Sequence, residues 1–444
     1  MTPTRDTDMP RTLTPRDLAP IAAALRTANA AFARNYPGEI GDRQPIHSVY
    51  GGAHLFAADT APKLGALALK ALDDFAPDGD TLAAALDLRV AAGDPRAFAN
   101  TIRARVVEKL RREPVEDYRL DFEDGYGNRS DAEEDGHARS AAEEVAAGAR
   151  AGSLSPFIGI RIKPMSAELH SRSLRTLDLF VTSLARAYRN RLPPNFAVTI
   201  PKVMTPAHVT AVARACGTLE RRLKLPRGTI RLELMIETPQ SILAPDGSSA
   251  LRALVAAGGG RVRGAHFGTY DYTALCGITA SWQHMRHAAC DFAKHLMQVS
   301  LAQTGVWLSD GATNIMPVGD RASVHHAWKV HFDDVSHSLV NGFYQGWDLH
   351  PAQLPMRYAA VYAFYLAARP AATARLRNFV EKAAQATLVG DVFDDAATGQ
   401  GLLNFFVRGL SSGALTLDEA AETGLTPAEL QSRSFLKILE GRKR

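Results

Sequence analysis

Short apolar runs recur along the chain, each followed by a polar or glycine-containing turn and then by a longer stretch of helical character. Eight of these runs are nearly continuous in apolar character, which is typical of strands buried on both faces in βαβ units. The runs are HSVYGGAHLF from His47, YRLDFED from Tyr118, FIGIRIKP from Phe157, FAVTIPKV from Phe196, LELMIET from Leu232, VRGAHFGTYDY from Val262, VWLSDG from Val306 and GFYQGWDLHP from Gly342. Eight such units predict an α/β fold of the (β/α)₈ TIM-barrel type.

The same pattern divides the chain into three predicted parts. Residues 1–44 contain a polar lead and an Ala-rich helix, and we predict an N-terminal helical extension there. Residues 45–355 contain the eight units and form the predicted catalytic barrel. Residues 356–444 have helical periodicity, so we predict a C-terminal helical region that covers a barrel face or an oligomer partner.

Composition narrows the class of protein. Hydrophobic residues make up 46% and charged residues 22% of the 444 residues, which fits a globular protein with a large core. The net charge of +4 is not concentrated in any block, so we expect no nucleic-acid partner, and a small anionic substrate fits the slight basic excess. Three cysteines without a CxxC pair, and no apolar segment near the roughly 20 residues of a membrane span, predict a cytoplasmic protein without a membrane partner.

Charged side chains end nearly every apolar run. They are Asp121, Glu123 and Asp124 after the second run, Arg161 and Lys163 in the third, Lys202 after the fourth, Glu237 after the fifth, Asp271 after the sixth and His350 after the eighth. A barrel collects the carboxyl ends of its strands on one face, where active sites are built. Charges at the ends of buried strands are costly unless they are paired or bind a metal, so this face is the predicted active site.

Glu237 and Asp271 are the predicted metal ligands. They follow adjacent predicted strands, which lie about 4.8 Å apart, so their carboxylates can share one small cation. Mg²⁺ typically takes one or two protein carboxylates and leaves its other positions to water and substrate. No HExxH motif or cysteine cluster favours zinc, so we predict Mg²⁺, with Mn²⁺ as the alternative ion. The competing interpretation is that each carboxylate caps a helix or pairs with a basic residue.

The remaining site residues are assigned to substrate and proton chemistry. Arg161 lies in an apolar strand and needs an anion, which is either a substrate oxygen or one of the carboxylates of Glu123 and Asp124. The candidates for the general base are Glu123 and Asp124, with a pKa raised by neighbouring carboxylates, and a metal-bound water; His47 and His54 are further candidates, although a histidine in a packed strand is more often structural. Lys202 is either a Schiff-base amine of lowered pKa or a charge-balancing group. The predicted substrate-binding residues are Arg161, Lys163, Lys202, Thr238 and His350.

Taken together, the motifs resemble those of citrate lyase β-subunit-like proteins, a group that includes malyl-CoA lyases and the HpcH/HpaI aldolases. RLDFEDGYG is similar to the DLEDAV element of that group, GIRIKP to its RVN strand, TIPKV to PKV, LMIETPQSI to IETxxG/A and GFYQGWDLHPAQL to GFxGKxxIHPxQI. GAHFGTYDYT resembles the G-x-x-D element and the GRWDY element of malate synthases. The likeness covers roughly residues 45–355 in order, and this chain has a lysine at 163 where the group has asparagine.

The resemblance implies that Glu237 and Asp271 bind Mg²⁺ and that Arg161 contacts the substrate carbonyl or carboxylate. It implies a carbon–carbon lyase or aldolase that acts on a 2-oxo acid, a hydroxy acid or a related carboxylate through a metal-stabilised enolate. Use of a coenzyme A thioester stays open. One alternative is phosphoryl or P–C chemistry of the phosphoenolpyruvate type on the same barrel, and another is a non-catalytic dicarboxylate-binding or assembly subunit. The apolar C-terminal helices predict a homo-oligomer.

Overall fold

Eight parallel strands close into a barrel in which each strand pairs with its successor and the eighth pairs with the first. This computed structural model describes residues 12–38, 42–88, 94–381, 387–389, 392–394 and 396–442. The strands are β1 His47–Gly52, β2 Asp117–Asp121, β3 Phe157–Arg161, β4 Phe196–Ile200, β5 Arg231–Ile236, β6 Val262–Phe267, β7 Trp307–Ala312 and β8 Gln345–Asp348. The predicted (β/α)₈ barrel is confirmed, and every strand overlaps one of the eight apolar runs.

Helices connect the strands and cover the outside of the barrel. The helices of the barrel and its N-terminal extension are α1 Pro15–Asn35, α2 Thr60–Phe75, α3 Gly79–Leu86, α4 Pro95–Arg112, α5 Asp131–Ala151, α6 His170–Ala187, α7 Pro206–Arg222, α8 Pro239–Ile242, α9 Leu251–Ala257, α10 Thr269–Leu275, α11 Ala288–Leu301 and α12 Arg321–Val340. Local sequence sets their ends, as α5 shows. Ser130 and Glu133 form a capping box at its beginning, and Gly152 ends it in the left-handed conformation.

The C-terminal region contains α13 Leu354–Glu381, α14 Ala396–Ser411, α15 Leu417–Ala421, α16 Pro427–Ser432 and α17 Phe435–Arg442. The expectation that this region is helical throughout is wrong at one place. Two short strands, β9 Thr387–Val389 and β10 Val392–Asp394, pair antiparallel between α13 and α14. Their sequences TLV and VFD are rich in β-branched and aromatic residues, which favour strands over helix. The division of the chain into three domains stays a prediction.

The helix α1 exposes a face that the described chain does not cover. None of its residues is buried, and Leu18, Ile21, Leu25 and Phe32 are all exposed. Their spacing of three, four and seven residues places them on one side of the helix. The homo-oligomer stays a prediction. Across the described parts of the chain, no helix combines the length and the apolar composition that a membrane crossing requires.

The middle of the barrel is filled by a charged layer instead of by apolar side chains alone. Arg119 of β2 donates to both carboxylate oxygens of Glu233 on β5 at 2.8 Å, and it also bonds Asp117. Arg263 at the start of β6 donates to Glu233 at 3.2 Å. The side chain two positions after Arg119 and the side chain four positions after Glu233 point into the same interior, because side chains alternate along a strand. This layer is the floor beneath the mouth of the barrel.

Candidate active site

Asp121 fixes the position of Arg161 at the barrel mouth. The two residues are opposite each other in the β2–β3 register, and Arg161 Nε donates to Asp121 Oδ1 at 2.7 Å while Nη2 bonds Oδ2. Asp121 also accepts the backbone N–H groups of Glu123 at 2.9 Å and Gly125 at 2.7 Å. One buried carboxylate therefore orients the guanidinium and shapes the turn that carries Glu123. The pairing of Asp121 with Arg161 was not among the predictions, although the two residues lie in adjacent apolar runs.

Lys202 lies among four carboxylates that come from the segments following β2, β5 and β6. Its backbone is in the left-handed region at φ 48°, and its N–H donates to Glu237 Oε1 at 2.6 Å. Its ammonium group donates to Glu123, and it lies 3.4 Å from Asp124 Oδ2 and 3.3 Å from Asp271 Oδ2. The structure thus brings these five predicted site residues together. Arg161 joins them through its contact with Glu123, at 3.1 Å between Nη1 and Oε2.

Burial and crowding of like charges dominate the electrostatics of Glu237. Its side chain is only 2% exposed, and burial raises its pKa to about 8. Lys202 opposes this rise in pKa, whereas the negative charges of Asp271 and Glu123 reinforce it. Burial also raises the pKa of Glu123, against the effect of the cations Arg161 and Lys202. Raised pKa values of buried carboxyl groups indicate that the site has too little positive charge to stabilise all of its carboxylates in the ionised form.

The pKa values of Asp124 and Lys202 shift in the directions opposite to those expected for a general base and for a Schiff-base amine. Burial tends to raise the pKa of Asp124, but Arg161 and Lys202 hold it below the usual value, so the expected raised pKa is wrong for this residue. Burial tends to lower the pKa of Lys202, but Glu237 and Glu123 hold it above the usual range. Lys202 therefore stays an ammonium ion, and Glu123 is the carboxyl of the pair whose raised pKa favours acceptance of a proton.

A small divalent cation fits the donor set of Glu237 and Asp271. Gly268, at the end of β6, leaves room for the carboxylate, because a Cβ there would lie 2.5 Å from Glu237 Oε2. The Asp271 side chain is 37% exposed at the mouth, so solvent and substrate reach it. No group of three or more His, Cys, Asp and Glu side chains suited to a metal ion occurs in the described residues. Two carboxylates with open positions suit Mg²⁺ better than an ion that needs a closed protein cage.

Aromatic side chains form one wall beside Arg161. Tyr50 of β1 and Trp347 of β8 stack with ring centroids 4.5 Å apart, and the Arg161 guanidinium lies 5.0 Å from the Tyr50 ring centre. Met235 and Ala312 complete this small apolar cluster. The hydroxyl of Tyr50 and the Nε1–H of Trp347 are buried, and neither has a hydrogen-bond partner among the described residues. Neither residue was predicted to belong to the site, because both occur within runs that have the pattern of an apolar strand.

Lys163 is the predicted substrate-binding residue that the structure separates from the cluster. Its ammonium group donates to the carbonyl of Phe122 at 2.7 Å and lies 3.1 Å from Glu134 of α5. It also lies 5.2 Å from the centre of the Tyr126 ring. These contacts tie the loop after β3 to the turn after β2 and to α5. These contacts do not support the predicted role of Lys163 in substrate binding, and that role stays a prediction.

Thr238 and His350 both cap the helical turns that follow their strands. The Thr238 hydroxyl donates to the carbonyl of Val203 at 3.0 Å and accepts the N–H of Ser241 at the beginning of α8. The His350 ring accepts the N–H of Ala352 at 3.2 Å. Burial lowers the pKa of His350, which favours the neutral ring. Neither side chain has a recorded bond to the carboxylates around Lys202, and their substrate roles stay predictions.

Comparison with known proteins places the chain in a family. The sequence model of a domain of unknown function, DUF6986, matches residues 25–438. The chain belongs to the DUF6986 family. No curated protein matches this DUF6986 chain.

Solved structures share the fold of this DUF6986 chain at low sequence identity. A citrate lyase from Burkholderia xenovorans LB400 is 16% identical, with a TM-score of 0.58, and the match covers 87% of this chain and 97% of that one. A malate synthase from Haloferax volcanii is 14% identical, with a TM-score of 0.46 and coverage of 89% and 98%. The fold expected from the citrate-lyase-like motifs is confirmed, in a chain whose family has no assigned function.

Proposed function

We propose that this DUF6986 chain is a Mg²⁺-dependent carbon–carbon lyase or aldolase that acts on a 2-oxo acid, a hydroxy acid or a related carboxylate. The observation that carries the proposal is the cluster at the barrel mouth. There, Glu237 and Asp271 both contact Lys202, and Arg161 joins the cluster through Glu123. Such a site suits an anionic substrate that develops further negative charge on oxygen during the reaction. The slight basic excess of the chain, +4, agrees with an anionic substrate.

Glu237 and Asp271 are the residues that would hold the metal ion. Their two carboxylates leave the other coordination positions of Mg²⁺, or of Mn²⁺, to water and to substrate oxygens. When bound, the ion supplies Lewis-acid polarisation of a substrate carbonyl. The pKa of Glu237 supports a cation at this position, because burial raises this pKa to about 8 even though the ammonium group of Lys202 opposes the rise. Gly268 keeps the space beside this carboxylate free.

Arg161 binds and orients the substrate in this proposal. Asp121 holds its Nε and Nη2, which leaves Nη1 toward Glu123 and the mouth. The guanidinium is also stacked near the Tyr50 ring, so its position is fixed before substrate arrives. A preorganised cation in a site that excludes water stabilises an enolate oxygen more strongly than a mobile surface cation does. The Tyr50 hydroxyl and the Trp347 Nε1–H, which have no hydrogen-bond partner in the described part of the chain, would donate to further substrate oxygens.

Glu123 moves the proton. Its carboxylate lies between Arg161 and Lys202, and burial raises its pKa toward the pH at which a base works best. It accepts a proton from the substrate hydroxyl when a carbon–carbon bond is cleaved, or from the methyl group when an enolate forms. The neighbouring ammonium of Lys202 stays protonated and keeps the local charge balanced in both directions.

Proton exchange on pyruvate tests the proposal directly. The protein is incubated with Mg²⁺ and pyruvate in D₂O, and loss of the methyl proton signal is followed by NMR. We expect Mg²⁺-dependent exchange that Glu237→Gln abolishes and that Glu123→Gln slows by roughly 10²–10⁴-fold, the usual contribution of a general base. Glu143→Gln is the matched control, because Glu143 is exposed on α5 and outside the site.

The same assay separates the proposal from its alternatives. It is repeated with oxaloacetate, an acyl-coenzyme A thioester and phosphoenolpyruvate. Absence of exchange or cleavage with every substrate would contradict the lyase assignment. Turnover of phosphoenolpyruvate alone would indicate phosphoryl or P–C chemistry, and binding of a dicarboxylate without turnover would indicate a sensor or assembly role.

A further inference from the structure

A cavity of about 630 Å³ opens at the amino-terminal face of the barrel, opposite the candidate active site. We call it the basic cavity. Its wall includes residues at the beginnings of β5, β6 and β7, three residues of α9 and the end of α1. The charged residues that line it are Arg34, Asp42, Arg231, Arg252 and Arg263. Its volume is in the range of cavities that bind metabolites and nucleotides, roughly 300–1,000 Å³.

The basic cavity has four arginines and one acidic residue in its lining. Among the residues that the structure describes, a carboxylate partner is found for Arg263 alone of these four, which pairs with Glu233 at 3.2 Å. Arg231 reaches the carbonyl of Gly260 at 3.5 Å, and neither it nor Arg34 nor Arg252 forms an ion pair with any residue that the structure describes. Elsewhere in this chain most buried or half-buried arginines are paired, as Arg261 is with Glu220 at 2.7 Å. The positive charge of this cavity is therefore uncompensated by the described chain.

Arg252 is held in place by a contact that is not an ion pair. Its guanidinium lies over the Tyr36 ring, 4.6 Å from the ring centre, and its buried Nη1 has no hydrogen-bond partner among the described residues. A buried donor without an acceptor is costly, and a ligand acceptor would remove that cost. Arg263 is similarly fixed, 5.3 Å from the Phe157 ring centre and 5.5 Å from that of Trp307. The cavity thus presents preorganised guanidinium groups.

We propose that the basic cavity binds a small phosphate-bearing anion. Guanidinium forks match the oxygens of phosphate in paired hydrogen bonds, and three arginines without acidic partners suit a group that carries more than one negative charge. The site is concave and local, which suits a small anion, and the net charge of +4 is not concentrated in any block of the sequence. It lies away from Glu237 and Asp271, so it is a separate site whatever reaction occurs at the mouth.

Calorimetric titration of the full chain with pyrophosphate, without divalent metal, tests this proposal. We expect saturable binding of one pyrophosphate per chain, weakened at least tenfold in Arg252→Ala and in Arg231→Ala. Arg231 begins β5 with its side chain exposed, so its removal leaves the fold intact. Arg139→Ala, at an exposed position of α5, is the matched control for loss of one positive charge and is expected to bind like the wild type.

Three outcomes would overturn the proposal. They are the absence of saturable binding up to about 10 mM pyrophosphate, which corresponds to less than about 3 kcal/mol of binding free energy, equal weakening in Arg139→Ala, and citrate binding as tightly as pyrophosphate. The last result would show a site for carboxylates instead of phosphates. Inorganic phosphate, titrated in parallel, shows whether one phosphate group suffices, and binding weaker than that of pyrophosphate but sensitive to the same two variants supports the proposal.

Discussion

Replacing Glu237 with glutamine isolates the charge of the buried carboxylate while keeping its shape. Burial raises the pKa of Glu237 from 4.5 to about 8, so the folded protein without metal binds the proton more tightly than the unfolded chain does. Stability linked to this proton is therefore fully present below pH 4.5 and is lost as pH rises through about 8. Glutamine at this position has no proton to lose, and its amide oxygen can still accept the N–H of Lys202.

The expected size of the effect follows from the shift in pKa. Each pKa unit corresponds to about 1.4 kcal/mol, so the wild type without metal should lose about 4 kcal/mol of unfolding free energy between pH 4.5 and pH 9 through this group. At pH 7 the loss is about 3 kcal/mol, and Glu237→Gln is expected to be more stable than the wild type by that order. With Mg²⁺ the order reverses. The ion stabilises the wild type by mass action, and the variant lacks the charged ligand.

Urea unfolding followed by circular dichroism measures both effects. The wild type, Glu237→Gln and the exposed control Glu143→Gln are compared from pH 5 to pH 9, first in EDTA and then in Mg²⁺. The reasoning about burial is refuted if the wild type and Glu237→Gln show the same pH dependence in EDTA. The metal assignment is refuted if Mg²⁺ stabilises both proteins equally.

Three further changes probe how the mouth is built. Asp121→Asn breaks a buried pair, so we expect a loss of about 3–5 kcal/mol of unfolding free energy; loss of exchange activity with unchanged stability would instead mean that Asp121 acts on substrate and not through Arg161. Gly268→Ala places a Cβ 2.5 Å from Glu237 Oε2 and should weaken Mg²⁺ binding at least tenfold, measured by titration calorimetry; an unchanged affinity would place the ion elsewhere. Tyr50→Phe removes a hydroxyl without a partner in the described chain, so stability should stay within about 0.5 kcal/mol while KM rises, and an unchanged KM would remove Tyr50 from the substrate site.

The barrel was predictable because the signal for each strand is local. A strand buried on both faces is a short continuous apolar run, and the burial of every residue in β2, β3 and β4 bears this out. The β9–β10 pair was missed because each strand has only three residues, which is too short to show a hydrophobic period. Strand boundaries shifted by a residue or more for a similar reason, as at β8, which begins at Gln345 instead of Gly342.

The candidate site was predictable only as far as strand ends could be identified. Residues that end a strand or follow it closely, such as Arg161 and Glu237, come together because the barrel aligns the carboxyl ends of all its strands. Side chains alternate only as far as the strand extends, and β3 ends at Arg161. Lys163 is therefore separated from Arg161, although it lies only two positions later in the sequence. The pairing of Asp121 with Arg161 depends on the register between β2 and β3. This register cannot be derived from the sequence of either strand by itself. The basic cavity joins residues from 34 to 307 and has no motif at all.

The charges inside the barrel fall into two layers that differ in balance. In the lower layer two carboxylates, Asp117 and Glu233, meet two cations, Arg119 and Arg263. Burial tends to raise the pKa of Glu233, but Arg119 and its neighbours hold it well below the usual value. In a layer with equal numbers of positive and negative groups the charges balance one another, so this layer supports the strands without a bound ligand.

The upper layer contains more carboxylates than cations. Its acidic residues are Asp121, Glu123, Asp124, Glu237 and Asp271, and its cations are Arg161 and Lys202. Glu237 is four residues after Glu233 in the chain, yet its pKa moves in the opposite direction, to about 8. Burial is common to both glutamates, so the difference comes from the missing positive charge. A divalent cation at Glu237 and Asp271 would remove most of that deficit, and this imbalance is the strongest physical support for the proposed metal site.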